Sequence, residues 1–154
     1  MISLLNTMPI ANAFEWGAGN STEILAKHLG GEHVTSVESD YDYLDMVKEK
    51  FQVAGVNFVF EPDERYYSQV NGNDFPYDLI FVDGKDRVNC LEKALELLSP
   101  RGIVVLHDAE RAEYIGGINL YKHAFFTDNG NTVTLTNDDD TASKIRQLLS
   151  AGSV

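Results

Sequence analysis

Strand-like and helix-like patterns alternate along almost the whole of this chain, an order that a parallel sheet covered by helices on both faces requires. The clearest strand is Tyr77–Asp83, YDLIFVD, a near-continuous apolar run of the kind that buried parallel strands need. Strands are also expected at Ala11–Trp16, Val34–Glu38, Val56–Phe60 and Ile103–His107. Helices are expected between them. Ser21–Leu29 puts Ile24, Leu25, His28 and Leu29 on one face and ends at Gly30-Gly31; Tyr41–Ala54 repeats Leu44, Val47, Phe51 and Ala54 and stops at Gly55. Arg87–Leu98 repeats Val88, Leu91, Leu95 and Leu98 before the break Ser99–Gly102. Glu61–Asn73 reads as a polar crossover with a short helix over Tyr66–Val70, and Glu110–Leu120 as a weak helix broken by Gly116-Gly117.

The end of the chain changes register. His123–Asp128 and Thr132–Thr136 are β-rich and separated by Asn129-Gly130-Asn131, a turn that joins antiparallel strands. The expected fold is therefore α/β, a doubly wound, Rossmann-like, seven-stranded sheet, parallel except for its last strand. Asp138–Asp140 caps a terminal helix over about Thr141–Ser150.

With 154 residues, 44% of them apolar, the chain is expected to form one domain with one core. No stretch approaches the roughly 18 consecutive apolar residues of a membrane span, and no charged-then-apolar leader opens the chain. A soluble, cytoplasmic protein is expected. The lone cysteine, Cys90, lies among apolar helix positions and is read as a packing residue. Twenty-four acidic residues against 12 basic ones give a net charge of −12, a field that argues against nucleic acid and against an anionic membrane. A small-molecule, saccharide or protein substrate remains.

FEWGAGNST, Phe14–Thr22, carries the first functional signal: an acid closing a strand, a glycine-spaced turn and a helix start. Gly17 and Gly19 let backbone N–H groups approach a ligand, and the helix N-terminus behind them presents unpaired donors. Some 20 residues on, TSVESD places Glu38 at the end of the second strand, the distance one helix and one strand need to return an acid across the crevice. Asp83, with Lys85 behind it, and His107-Asp108 end the next two strands and are expected to face the same crevice.

In these motifs and their order, the stretch Ala11–Thr136 resembles the class I S-adenosylmethionine-dependent methyltransferases. The resemblance implies that Glu15, Gly17, Ala18, Gly19, Asn20 and Ser21 hold the methionine end of the cofactor. Glu38, with Ser39 beside it, takes the ribose hydroxyls. Asp63 or Glu64 lies near the adenine amino group, and Asp83 closes the pocket. Methyl transfer to a hydroxyl needs alignment and a base, so His107, Asp108, Asp83 and Lys85 are the catalytic candidates. Catechol-type O-methyltransferases hold magnesium at an Asp after strand four and an Asp-Asn pair after strand five. Here Asp83 and Asp108 stand at those positions, but Ala109 replaces the Asn. The glucuronoxylan O-methyltransferase-like group is similar in the VDG run with Arg87 and the HD pair with Arg111, which implies a sugar or uronic-acid hydroxyl as acceptor.

Strand one starts after about ten residues, so the N-terminal lid of most small-molecule methyltransferases is expected to be nearly absent. Ile2, Leu4, Leu5 and Met8 are expected to pack on the sheet edge or on a second copy, which would make a homo-oligomer. Trp16, Tyr66, Tyr67 and Tyr114 are candidates to stack on an acceptor ring. Other readings are a polyamine synthase, a nicotinamide dehydrogenase and a non-catalytic cofactor-binding scaffold. The first lacks its paired acids at Val82–Lys85, and the second wants GxGxxG where Thr22 stands.

Overall fold

The computed structural model describes residues 2–68 and 76–150. Seven strands form one sheet in the order β3-β2-β1-β4-β5-β7-β6. They are β1 (Ala13–Trp16), β2 (Val34–Glu38), β3 (Asn57–Phe60), β4 (Tyr77–Val82), β5 (Leu98–His107), β6 (His123–Phe126) and β7 (Thr132–Thr136). The first five pair in parallel, while β7 runs antiparallel to both β5 and β6. The Rossmann-like expectation, with one reversed strand at the end of the chain, holds.

Side-chain alternation along the central strands builds two cores. Phe14, Trp16, Ile80, Val82, Val104 and Leu106 face helix α4 (Arg87–Leu97), where Cys90, Leu91 and Ala94 are buried. Ala13, Leu79, Phe81, Ile103 and Val105 face the other way, onto Leu4 and Leu5 of α1 (Ile2–Thr7), Leu25 of α2 (Asn20–Leu29) and Ile145 of α6 (Asp139–Ser150). The N-terminal segment thus spends Leu4, Leu5 and Met8 on this chain's own core, with Ile2 exposed. Helix α3 (Tyr41–Phe51) packs Leu44 and Val47 against Ala18. No helix among the described residues is long and apolar enough to cross a membrane.

Three elements differ from the sequence pattern. Helix α3 stops at Phe51 because Gln52 turns left-handed at φ 48°, three residues short of Ala54. Strand β5 begins at Leu98, which pairs with Tyr77 before the register shifts, so Ser99–Gly102 lies within an extended segment and does not separate the helix from the strand. Gly116 and Gly117 sit inside the short helix α5 (Ile115–Ile118), preceded by a 3-10 turn at Ala112–Tyr114; Gly117 fits because a Cβ there would meet Leu91 at 2.6 Å. A 3-10 turn also forms at Glu64–Tyr66, and the rest of the expected Tyr66–Val70 helix lies partly outside the described residues.

Candidate functional site

The chain runs outward from β1 through β2 to β3, then crosses back to β4 on the other side of β1. Loops leaving β1 and β4 therefore diverge at the carboxyl end of the sheet and open a crevice there. A cavity of about 790 Å³ occupies it, within the range of small-molecule sites. Its walls are Gly17–Ser21 after β1, Glu38–Asp40 after β2, Asp83–Lys85 after β4 and His107 at the end of β5, with Ile24, Tyr43 and Phe81 between them.

Gly17 is obligatory on two counts. Its φ is +98°, and a Cβ would lie 2.6 Å from the Gly84 nitrogen, so the loops after β1 and β4 touch backbone to backbone. Gly17 donates its N–H to the Val37 carbonyl (2.8 Å), and Asp83 donates its N–H to the Trp16 carbonyl (2.9 Å), tying three strand ends together. At Gly19 the nearest atom a Cβ would meet is the Tyr43 hydroxyl at 3.5 Å, which leaves the cavity side of the turn open.

Glu15 lies beneath this turn and does not line the cavity. It is fully buried on the α2 side of β1, beside Ser36 in the pairing register. Its carboxylate accepts hydrogen bonds from the hydroxyls of Ser21 (2.5 Å), Ser36 (2.8 Å) and Thr22. Thr22 Oγ1 in turn accepts the Gly19 N–H at 2.9 Å, so the acid reaches the turn through a hydroxyl relay. Burial pushes its carboxyl up to about 7; the three hydroxyls oppose this, and the Asp83 charge adds to it.

Glu38 stands across the crevice. Its Oε1 accepts the N–H groups of Ser39 (2.6 Å) and Asp40 (3.0 Å) and the Ser39 hydroxyl (3.3 Å), while Oε2 accepts, among the described residues, the Ala18 N–H alone (3.2 Å). The backbone fixes the carboxylate, and Oε2 keeps acceptor capacity toward the cavity.

At the opposite end, Nδ1 of His107 lies 3.2 Å from Asp83 Oδ1 and 3.2 Å from Asp108 Oδ1. The β5 strand delivers His107, and a left-handed Asp108 (φ 52°) turns the chain there. The Asp83 carboxyl is raised above the ordinary carboxylate range, burial outweighing the charges of His107 and Arg87. Beneath them Arg87, the first residue of α4, is buried. Its Nε donates to the Gly84 carbonyl (2.8 Å), Nη1 to the His107 carbonyl (2.5 Å) and Nη2 to the Asp83 carbonyl (3.0 Å). Arg111 is exposed and pairs with Asp108 at 3.1 Å.

Other candidates go elsewhere. Asp63 is exposed and held by Arg65, whose N–H and Nε donate to it at 3.0 and 3.2 Å, which lowers its pKa; it is not among the cavity walls. Lys85 lines the cavity, but its ammonium donates to the Pro62 carbonyl (2.7 Å) and lies over the Tyr66 ring. Trp16 and Tyr66 are fully buried, the indole N–H donating to the Tyr66 carbonyl, and Tyr114 packs between Arg87 and Arg111. Cys90 is buried and its thiol pushed up by burial, which suits packing and not nucleophilic attack. Asp40 and Tyr43 were not read as lining residues. The signal for them was present, because Asp40 caps α3 by accepting the Tyr43 N–H (2.9 Å), which fixes both beside Glu38.

An open glycine turn at a helix start, facing a fixed carboxylate across a nucleoside-sized hollow, fits S-adenosylmethionine. Comparison with known proteins agrees. A family described as "Methyltransferase domain" matches residues 14–109. An O-methyltransferase from Bacillus cereus in complex with SAH superposes with a TM-score of 0.64 at 19% identity, covering 88% of this chain and 77% of that one. Cofactor-bound Rv0187 from MTB gives 0.65 at 17%, with the same coverages. A methyltransferase-like protein from Silicibacter pomeroyi gives 0.62 at 17%, covering 99% and 92%. These likenesses are of fold. Comparison with curated proteins found no match. With the family matched over more than half of this chain and the sheet order in agreement, the chain belongs to the class I S-adenosylmethionine-dependent methyltransferases.

Proposed function

We propose that this protein methylates an oxygen of a small-molecule or saccharide hydroxyl, with His107 as the base. The supporting observation is that His107 lines the cavity that also holds the glycine turn and Glu38, with its Nδ1 turned to two carboxylates. That contact puts the ring proton on Nδ1 and leaves Nε2 as the acceptor. Asp83 and Asp108 hold the ring and balance the charge it gains on taking a hydroxyl proton. Bound S-adenosylmethionine supplies an electrophilic methyl group. Glu38 Oε2 receives ribose hydroxyls, and the Gly17–Ser21 backbone, kept in place by Glu15 through Ser21 and Thr22, holds the amino-acid end. Asp63 is held by Arg65 and is not among the cavity walls, whereas Asp40 and Tyr43 are, which makes these two the better candidates for the adenine side.

Calorimetric titration with S-adenosylmethionine and its demethylated product, followed by a screen of phenolic, sugar and uronic-acid hydroxyls, tests the reading. His107→Ala is expected to leave product affinity nearly unchanged and to reduce transfer by about 10²- to 10⁴-fold, the contribution of a general base. Full transfer activity in that variant removes His107 from the chemistry.

A further inference from the structure

Asp83, His107 and Asp108 each offer one ligand atom, all within 4.8 Å of one another, a grouping that suggests a divalent cation. The charges around it do not fit one. Arg87 Nη2 lies 3.2 Å from Asp83 Oδ1, Arg87 Nη1 lies 3.3 Å from Asp108 Oδ2, and Arg111 Nη2 lies 3.1 Å from that same Oδ2. Two carboxylates thus already face two guanidinium groups.

Arg87 is no mobile surface cation. Its side chain is 9% exposed, its three nitrogens donate to carbonyls of Asp83, Gly84 and His107, and the Tyr114 ring covers it at 5.4 Å. Those carbonyls belong to the two strand ends that carry the acidic residues. An ion bound between Asp83 and Asp108 would sit beside a fixed, desolvated positive charge, or would have to pull Arg87 off all three carbonyls. Ala109, which offers no side-chain oxygen, removes a further ligand.

We propose that Arg87 is the built-in cation of this site: it holds Asp83 and Asp108 about His107 and supplies the positive charge that a divalent ion between these two carboxylates would bring, making the centre metal-independent. Arg87 acts through these neighbours and is a positioning residue. The inference rests on the methyl-transfer reading for its meaning, but its test reads ion binding directly, so the two fail separately.

The test is Mn2+ alone, titrated by calorimetry and electron paramagnetic resonance into the chelator-treated protein. Wild type and Arg87→Lys, which keeps the charge, are expected to take up no stoichiometric ion. Arg87→Ala, checked for folding by near-ultraviolet circular dichroism, is expected to bind Mn2+ at least about tenfold more tightly than wild type, and to lose it when Asp108→Asn is added. A wild-type protein that binds one Mn2+ and loses it on Asp108→Asn overturns the proposal, and this arm decides even where Arg87→Ala does not fold. A folded Arg87→Ala with no gain overturns it as well. Transfer by the wild type, once an acceptor is found, is expected to be unaffected by chelator.

Discussion

Replacing Glu15 by glutamine keeps the shape of the buried side chain and removes its titration. In the native protein the carboxyl is pushed up to about 7 from an ordinary value of 4.5. At about 1.4 kcal/mol per pH unit, the ionised carboxylate costs the folded state on the order of 3 kcal/mol. The sign follows from proton uptake: between these two values the folded chain holds the proton more tightly, so this stability is fully present below pH 4.5 and is lost as pH rises through 7. Titratable neighbours facing Glu15 are Asp83 and the Tyr66 phenol; both remain in the variant, so subtraction isolates the one carboxyl. The glutamine amide needs acceptors among Ser21, Thr22 and Ser36, and Thr22 already receives the Gly19 N–H, which trims the gain to about 1–3 kcal/mol. Urea unfolding of both proteins at pH 5, 6, 7 and 8 is the assay. The variant is expected to gain on wild type steadily with pH, the difference saturating near pH 8. Parallel stability curves would refute the reasoning, and a wild type gaining on the variant with pH would reverse it.

Glu38→Ala should weaken S-adenosylmethionine and its demethylated product alike by roughly 1–3 kcal/mol in calorimetry, the size of a lost charged hydrogen bond; unchanged affinity removes Glu38 from the pocket. Gly17→Ala places a methyl 2.6 Å from the Gly84 nitrogen at a φ of +98°, so thermal unfolding should fall by several degrees and cofactor binding should be lost together. A variant that melts and binds like wild type would show that the two loops are not in contact.

The sheet was legible because its residues state their burial twice, once by apolar content and once by alternation: Val34–Glu38 and Thr132–Thr136 begin and end where the pattern does. Boundaries set by one backbone torsion were not. Nothing in the composition around Gln52 marks it as left-handed, and Leu98 joins β5 only because Tyr77 lies opposite. In the site, Gly17 and Glu38 could be placed beside the cavity because their positions depend on chain spacing. Arg87 could not, because its hydrogen bonds depend on His107, 20 residues away and one strand over. Asp63 likewise looked available until the Arg65 side chain folded back onto it. Side-chain destinations that hang on a single distant partner leave no periodic trace.

The backbone contact between Gly17 and Gly84 has an evolutionary reading. Gly17 has no room to grow unless the β4 loop retreats, which would drag Asp83 with it; a side chain at Gly84 would run first into the Tyr66 phenol and only then into the Gly17 nitrogen, 3.1 Å away. Change at Gly17 is therefore expected to depend on the β4 loop, and change at Gly84 on Tyr66 as well. In a randomised library selected for binding, survivors altered at Gly17 should carry a compensating change near Gly84, and single replacements should be missing.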